Sequence, residues 1–193
     1  MGNKDHALNE IIKLLPGKFG FDNEKSFFQL KGKETHSGII FCPHVNGKLG
    51  VKEIKQAIEE KLGNENDFTV EMFSGSPPYG ELDWVDRKKK AATGFKNNNT
   101  PLLVATNAFG MGIDKPNIRY TVHITLPCSI EQYYQEAGRA GRDGNSALSV
   151  LLYSNQKRLG VDELLNPLTA PEKVEQAIKS RQGNDVFTAL YFH

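Results

Sequence analysis

Short apolar runs alternate with longer charged segments along most of this 193-residue chain. The apolar runs are bounded by Gly, Pro or Asn, and the charged segments between them have the periodicity of helices. This order is typical of a parallel sheet, because parallel strands need a crossover connection, usually a helix, between them. We therefore predict a three-layer α/β fold with a mainly parallel central sheet flanked by helices.

Five strands and three helices follow from these patterns. The segment 51–63 is amphipathic and closes at a glycine, and 101–106 is apolar throughout, as expected of a central strand covered on both faces. Ser129 with Gln132 forms a capping box that predicts the start of a helix. The predicted strands are 37–42, 67–73, 101–106, 119–126 and 147–154, and the predicted helices are 51–63, 81–95 and 130–137.

The two ends of the chain are assigned to separate regions. Residues 6–17 predict a short helix ended by Pro16-Gly17, so that 1–36 form an N-terminal helix and connector and 37–155 form the main domain. A last helix is expected from Thr169, which makes a second capping box with Glu172. Residues 156–193 are expected to be a helical extension that begins a further region. The closing run ALYFH leads us to expect a longer parent polypeptide.

Charge and cysteine content exclude several classes of function. The formal net charge is +1, so the binding of a polyanion must come from a local patch. Cys42 and Cys128 stand far apart, which excludes a four-cysteine zinc site within the chain and argues against a disulfide framework. The longest apolar stretches are too short to cross a bilayer. We expect a cytoplasmic protein without zinc or a membrane partner.

Open α/β sheets bind ligands outside the carboxyl ends of their strands. We expect three loops at that edge: the loop after Cys42, the loop after Thr106, and the loop after the helix 130–137. The last two have unusual compositions.

The segment GRAGRDG (138–144) holds two arginines three residues apart among glycines. Arg139 and Arg142 present planar, permanently charged groups that suit paired phosphate oxygens. The glycines remove side chains that would keep a ligand away from the backbone. On composition alone, an ordinary basic loop paired with acids such as Asp143 is an equally good interpretation.

The segment ATNAFGMGIDKPNIR (105–119) follows a predicted buried strand. Thr106 is expected at the edge of the sheet with its hydroxyl free to donate, and Gly110 and Gly112 would allow close backbone approach. Asp114 could accept a hydrogen bond from a sugar hydroxyl. In the alternative interpretation the polar residues only form turns and the large apolar residues only pack; these are Asn107 and Asp114, and Phe109 and Met111.

Together these two segments resemble motifs V and VI of the RecQ-like helicases of helicase superfamily 2. GIIFCPHVNG (38–47) resembles motif IV of that family, and FSGSPP (73–78) lies where the family has an aromatic-x-x-glycine segment. The resemblance covers residues 37–155. It implies a RecA-like (P-loop NTPase-type) lobe, the second of two lobes that hold ATP in the cleft between them. The family's motif V commonly has Asn at the position of Asp114.

The resemblance also implies roles for the nucleotide site. Arg142 would be the arginine finger on the γ-phosphate, and Arg139 a second phosphate or coupling contact. Gln135 would link the site to the acidic motif of the first lobe. Asp114 would touch the ribose or shape motif V, and Gly112 would border the nucleotide.

For single-stranded or forked DNA, the resemblance implies a grip on the phosphates of the tracking strand. Thr106 and the backbone around it would hold one phosphate, and a basic position on the helix 81–95 would contact another. Tyr79 and Trp84 could stack on a base, but packing is the interpretation that we favour. The implied nucleic-acid contacts are Pro43, His44, Ser74, Gly75, Arg87, Lys88, Thr106 and Asn107.

The sequence contains no G-x-x-x-x-G-K-[ST] motif and no acidic Walker B segment at the end of an apolar strand. We therefore expect ATP and Mg²⁺ to be held mainly by an N-terminal RecA-like lobe of the same polypeptide, and this chain alone to be inactive. Two alternatives stay open: a superfamily 2 RNA helicase lobe, and a nucleic-acid-binding or regulatory module without catalysis.

Overall fold

The computed structural model of the chain describes residues 2–62, 68–110, 114–155, 161–180 and 184–192. Its centre is a five-stranded sheet in which every neighbouring pair is parallel, in the order β2-β3-β1-β4-β5. This confirms the predicted parallel α/β fold. The strands are β1 (Ser37–Phe41), β2 (Val70–Phe73), β3 (Leu102–Ala105), β4 (Ile118–His123) and β5 (Leu148–Leu151).

Eight α-helices are described around and beyond this sheet. Two short 3₁₀ turns, Gly32–Glu34 and Asn107–Gly110, precede β1 and follow β3. None of the described helices combines the length and the apolar character needed to span a membrane. The helices are α1 (Gly2–Lys18), α2 (Glu24–Phe28), α3 (Val51–Leu62), α4 (Trp84–Lys96), α5 (Ile130–Ala137), α6 (Val161–Leu165), α7 (Pro171–Ser180) and α8 (Asp185–Phe192).

Alternate residues of the central strands pack on opposite faces of the sheet. Ile40 and Val104 belong to a core cluster with residues of α1, α2 and α3, whereas Ile39 and Leu103 belong to a second cluster with residues of α4. All four side chains are buried, as expected of parallel strands that are covered on both sides. The molecule therefore has three layers, as predicted.

The region before β1 contains more structure than the sequence pattern indicated. The predicted end of the first helix at Pro16-Gly17 is wrong, because α1 continues to Lys18 with Pro16 in its last turns. The segment predicted as a polar connector contains α2, whose Phe27 and Phe28 are buried in the same core cluster as the sheet. Asn23 caps this helix, since its side chain accepts a hydrogen bond from the Ser26 amide at 2.9 Å. The boundary at residue 37 stays a prediction.

The helix that the sequence predicted from Thr169 begins instead at Pro171. A proline disfavours helical backbone in the residue before it, and its missing N–H costs nothing at the first position of a helix. The capping box with Glu172 therefore gave a start that is too early. The last three helices share a small apolar cluster of their own, formed by Val161, Ala177 and Phe187.

A buried ion pair joins the first and the last described helices to the sheet. Lys4 of α1 lies 2.6 Å from the carboxylate of Asp185 in α8, and its ammonium also donates to the carbonyl of Ile124 at 2.8 Å. The same carboxylate accepts hydrogen bonds from the Leu126 and Ser154 amides at 3.0 and 2.7 Å. We call these five residues the Lys4–Asp185 clasp.

Candidate nucleotide and nucleic-acid sites

The three neighbouring strands β2, β3 and β1 end level with one another. Phe73 pairs with Ala105 and Ala105 pairs with Phe41, so the loops that follow leave the same edge of the sheet. Backbone hydrogen bonds continue this alignment, from the Thr106 amide to Phe73 and from the Cys42 amide to Ala105. The structure thus brings together six of the residues proposed to contact nucleic acid: Pro43, His44, Ser74, Gly75, Thr106 and Asn107.

These residues differ in how much of them faces solvent. Pro43, Gly75 and Asn107 are exposed, whereas the side chains of Thr106 and Ser74 are buried. The Ser74 hydroxyl donates to the Ser76 carbonyl at 2.6 Å, so it stabilises its own turn. The surface at this edge is therefore mostly backbone and small side chains, which suits contact with a phosphate chain.

Half-burial lowers the pKa of His44, because desolvation disfavours the imidazolium form. His44 also forms an isolated parallel bridge with Gly50, which closes the loop between β1 and α3. A neutral imidazole can accept or donate a hydrogen bond at this edge but adds no charge.

Helix α4 brings basic side chains to the same edge. It begins at Trp84, later than predicted, because Asp83 has left-handed backbone with φ of 52°. Lys88 lies with its ammonium 3.4 Å from the Gly75 carbonyl, next to the loop that follows β2. Arg87 is instead paired with Glu81. The sequence did not decide which of Arg87 and Lys88 contacts nucleic acid. Lys88 reaches this edge, and no acidic residue with a described position pairs with it.

The arginine loop 138–144 does not lie at the carboxyl edge, and that expectation is wrong. Helix α5 has eight residues, about 12 Å, and it returns the chain toward the start of β4. There the Gly141 amide donates to the Ile118 carbonyl at 2.9 Å. Arg119 holds Asp143 with both guanidinium nitrogens, one of them at 2.9 Å. These hydrogen bonds lower the pKa of Asp143 well below its usual range.

The structure brings Arg142 and Asp114 together, two of the residues proposed for the nucleotide site. The Arg142 guanidinium lies 3.2 Å from the Asp114 carboxylate and also donates to the Gly138 carbonyl at 3.2 Å. The two side chains are 41% and 82% exposed, so an anionic ligand can displace the carboxylate at little cost. Gly112, the remaining glycine proposed for this site, lies outside the described residues, as does Met111.

Arg139 occupies a different environment from Arg142 although both leave the same loop. Its side chain is buried, and desolvation together with the nearby charge of Arg142 lowers its pKa, while Glu136 acts in the opposite direction. Gln135 points to solvent from α5. The loop therefore offers one guanidinium to a ligand and keeps the other inside the fold.

Glu136, a buried acid at the end of α5, was not among the residues predicted for the site. Its carboxylate lies 3.1 Å from His123 at the end of β4 and accepts a hydrogen bond from Gln132 at 2.9 Å. His123 itself stacks on Phe41, with ring centroids 5.1 Å apart. The sequence contains a weak indication of these contacts. Glu136 lies three residues before Arg139 and four after Gln132, and residues at these spacings are neighbours on one side of a helix.

The described residues fit one part of a nucleotide site only. The arginine loop provides a guanidinium and glycine backbone, which match the phosphate end of a nucleotide. Among residues with described positions, no three His, Cys, Asp or Glu side chains lie close enough to hold a metal ion. Phe109 is buried against Phe73 and Phe95, which supports the packing interpretation of that residue.

Residues 22–144 match the family described as "Helicase conserved C-terminal domain". Over 152 residues the chain is 60% identical to the RecQ-like DNA helicase BLM of Xenopus laevis. That alignment covers 79% of this chain and 10% of the relative. The chain is 35% identical over 149 residues to the ATP-dependent DNA helicase RecQ of Pasteurella multocida (strain Pm70). That alignment covers 77% of this chain and 21% of the relative.

The fold matches that of Mss116p DEAD-box helicase domain 2 bound to an RNA duplex, with a TM-score of 0.56 at 18% identity, covering 92% of this chain and 65% of that one. The chain spans about a quarter or less of the length of the curated relatives named above. By the match of residues 22–144 and by these identities, the chain belongs to the helicase conserved C-terminal domain family, as a RecA-like domain of the RecQ-like type.

Proposed function

We propose that this chain is the second motor lobe of an ATP-dependent DNA helicase, and that Arg142 acts as the arginine finger for ATP held mainly by another lobe of the same polypeptide. The observation that carries the proposal is the position of Arg142. Its guanidinium is exposed and loosely paired with Asp114, on a loop whose backbone is fixed to the start of β4. A fixed backbone with an available guanidinium is what phosphate stabilisation in trans requires.

Arg139 has a different role in this proposal. Its charge is buried beside Glu136 and close to Arg142. We therefore propose that Arg139 contributes to the electrostatic potential of the loop and stabilises the end of α5. Phosphoryl transfer depends on positioning and on stabilisation of negative charge, and an arginine finger contributes about 10³–10⁵ in rate. We therefore assign the larger catalytic effect to Arg142. ATP would bring the reactive phosphate, and Mg²⁺ would be held by acidic residues of the other lobe.

The carboxyl edge of β2, β3 and β1 is proposed to hold the tracking strand of single-stranded or forked DNA. The small and backbone groups there would contact phosphates, and Lys88 would add a positive charge. The curated relatives named above are DNA helicases, which favours DNA over RNA as the substrate.

The two proposed sites are joined through the second face of the sheet. The 3₁₀ turn Asn107–Gly110 contacts α5, and its Phe109 shares a cluster with Ala140 of the arginine loop. A shift of the arginine loop on hydrolysis would therefore be transmitted to the residues that follow β3. Such a link is what a motor needs to convert the state of the nucleotide into a change of strand grip.

The test uses the complete polypeptide that carries this chain. Arg142→Ala is expected to reduce DNA-stimulated ATP hydrolysis by about 10³-fold or more while nucleotide binding changes little, because the binding cradle lies elsewhere. Arg142→Lys should recover only part of the rate, since an ammonium cannot form the paired contact. Lys96→Ala, which removes an exposed cation at the end of α4, is the matched control.

Turnover retained in Arg142→Ala would reject the arginine-finger assignment. A wild-type polypeptide that binds DNA but hydrolyses no ATP would instead favour a nucleic-acid-binding or regulatory module. Hydrolysis stimulated by RNA and not by DNA would favour the RNA helicase alternative.

A further inference from the structure

The loop between β2 and α4 turns a large aromatic side chain to solvent. Tyr79 is 79% exposed, whereas its neighbour Pro78 is buried and Trp84 is packed in the core. The packing interpretation that we favoured for both aromatic residues is therefore right for Trp84 and wrong for Tyr79. The Trp84 indole donates to the Ser74 carbonyl at 3.3 Å, so this hydrogen bond joins the two ends of the loop.

The backbone that carries Tyr79 is fixed by contacts from two other elements. Its amide donates to the Asn46 side chain at 2.6 Å, and its carbonyl accepts from the Lys52 ammonium at 2.8 Å. Lys52 also pairs with Glu81 at 3.1 Å, and Glu81 pairs with Arg87. Tyr79 is thus an exposed ring on a loop whose backbone is already fixed. Little conformational entropy of the loop is therefore lost when a ligand binds to it.

This ring lies beside the edge proposed to hold the nucleic acid. Asn46 belongs to the loop after β1, and the loop of Tyr79 begins at the end of β2. Lys52 touches the Tyr79 carbonyl, and Lys88 lies against the Gly75 carbonyl in the same loop. Cations next to an exposed aromatic ring are the combination that binds single-stranded nucleic acid without sequence preference.

Leu82 is equally exposed, but its surroundings differ. The exposed acids Asp83 and Asp86 follow it at the start of α4, where they would repel a phosphate chain. Lys52, beside the Tyr79 backbone, shares the carboxylate of Glu81 with Arg87, so these three side chains together keep a net positive charge. The ring of Tyr79 also has a flat face that matches any base. The chemistry therefore favours Tyr79 as the contact.

We propose that Tyr79 stacks on an unpaired base of the strand bound along the carboxyl edge. The inference rests on the proposed function, because it assumes that this edge holds a nucleic acid. Stacking of one base on an aromatic side chain corresponds to between about 5-fold and about 150-fold in affinity. Because every base has such a face, the contact adds affinity without sequence preference.

The first experiment measures binding of oligodeoxythymidylate to the complete polypeptide at several salt concentrations. Tyr79→Ala is expected to weaken binding by between about 5-fold and about 150-fold, and Tyr79→Phe to leave it within about twofold. The dependence of affinity on salt should stay the same, because no phosphate contact is lost. Tyr153→Ala, which removes another exposed tyrosine at the end of the sheet, is the matched control and should bind as the wild type does.

A second readout reports stacking directly. The one tryptophan of this chain, Trp84, is buried, so Tyr79→Trp adds an exposed indole. The emission that this variant gains over the wild-type polypeptide should be quenched when the oligonucleotide binds. An abasic strand should remove both this quenching and the affinity difference between the wild type and Tyr79→Ala.

Equal affinity of Tyr79→Ala and the wild type would overturn the inference while leaving the proposed function intact. An equal loss on normal and abasic strands would also overturn it, because the ring would then contribute through the sugar-phosphate backbone and not through a base. A wild-type polypeptide that binds no nucleic acid would overturn both proposals.

Discussion

Lys115 is an ionisable side chain that the fold buries almost completely, with 1% of its surface exposed. Its ammonium donates to the Asn98 side chain and lies 5.1 Å from the ring centroid of Phe95. Burial, with a smaller contribution from Arg119, lowers the pKa of Lys115 to about 8. The charged form is therefore disfavoured in the folded state, although Lys115 directly follows Asp114 of the candidate site.

We expect this pKa to appear in the pH dependence of stability. Between about pH 8 and the ordinary lysine pKa near 10.4, the unfolded chain holds a proton that the folded chain has lost. The unfolding free energy of the wild type should therefore rise with pH in this range relative to Lys115→Met, by about 3 kcal/mol in total. Denaturant unfolding of both proteins at several pH values measures the difference.

At pH 7 the same substitution should cost little, because the Asn98 oxygen still accepts a hydrogen bond from Asn117 at 2.8 Å. A difference between the two proteins that does not change from pH 7 to pH 10 would contradict this account. So would a large loss of stability in Lys115→Met at neutral pH.

The sequence singles out Arg139 and Arg142 as candidate site residues, but it does not predict the environment of either side chain. Arg139 and Arg142 stand out because both lie among glycines, yet their spacing suggests that they face the same way. One is buried and the other exposed because long-range contacts fix the loop, including that of Arg119 with Asp143. The contact between Arg119 and Asp143 joins residues more than twenty positions apart. The local sequence pattern around either residue does not predict it.

At the scale of elements, the strands β1 and β4 show how one glycine makes room for a neighbour. A Cβ atom on Gly38 would lie 1.9 Å from the ring of Tyr120, which belongs to the adjacent strand. The Tyr120 hydroxyl is buried, and none of the described residues gives it a hydrogen-bond partner. Burial accordingly raises the pKa of this phenol far above its usual value.

Two substitutions at this contact should act in opposite directions. Gly38→Ala is expected to destabilise the domain by about 3 kcal/mol or more, because the ring is fully buried and cannot move aside. Tyr120→Phe removes a buried hydroxyl that lacks a partner and should be neutral or stabilise by about 1 kcal/mol. Chemical denaturation measures both. A Gly38→Ala protein as stable as the wild type would show that the two strands do not pack in this register.

The sequence predicted the five strands and the helices between them, missed α2, and was least accurate about where the elements end. Strand β4 was predicted to reach residue 126 but ends at His123, level with Phe41 and Leu151 on its two neighbours. A strand ends where its partners end, and a single segment does not contain that information. The position of the arginine loop was missed for a related reason, since only the length and direction of α5 place it beside β4.

At the scale of the whole molecule, the Lys4–Asp185 clasp connects residues near the two ends of the described chain. Both charges are almost fully buried, and the Asp185 carboxylate also accepts two backbone amides beyond the ends of β4 and β5. Removing one member leaves the other charge buried without its partner, and such losses cost about 3–5 kcal/mol.

We therefore expect Lys4→Met and Asp185→Asn each to lower the unfolding free energy by about 3–5 kcal/mol, and the double variant to lose much less than the sum. The exposed pair Lys179–Glu175 is the control, and its removal should have no measurable effect. Denaturant unfolding of the four proteins completes the cycle. Additive losses would show that the two side chains do not form a coupled pair.

A proposed strand-binding edge and a proposed phosphate-binding loop lie in different parts of the molecule, and we propose that ATP hydrolysis also requires another lobe. The most direct test measures ATP hydrolysis, with and without single-stranded DNA, by this chain alone and by the complete polypeptide that carries it. Circular dichroism should first establish that the isolated chain is folded. We predict DNA-stimulated hydrolysis by the complete polypeptide and none by the chain alone. Hydrolysis by the folded chain alone would contradict the account, because it would require a complete site within these residues.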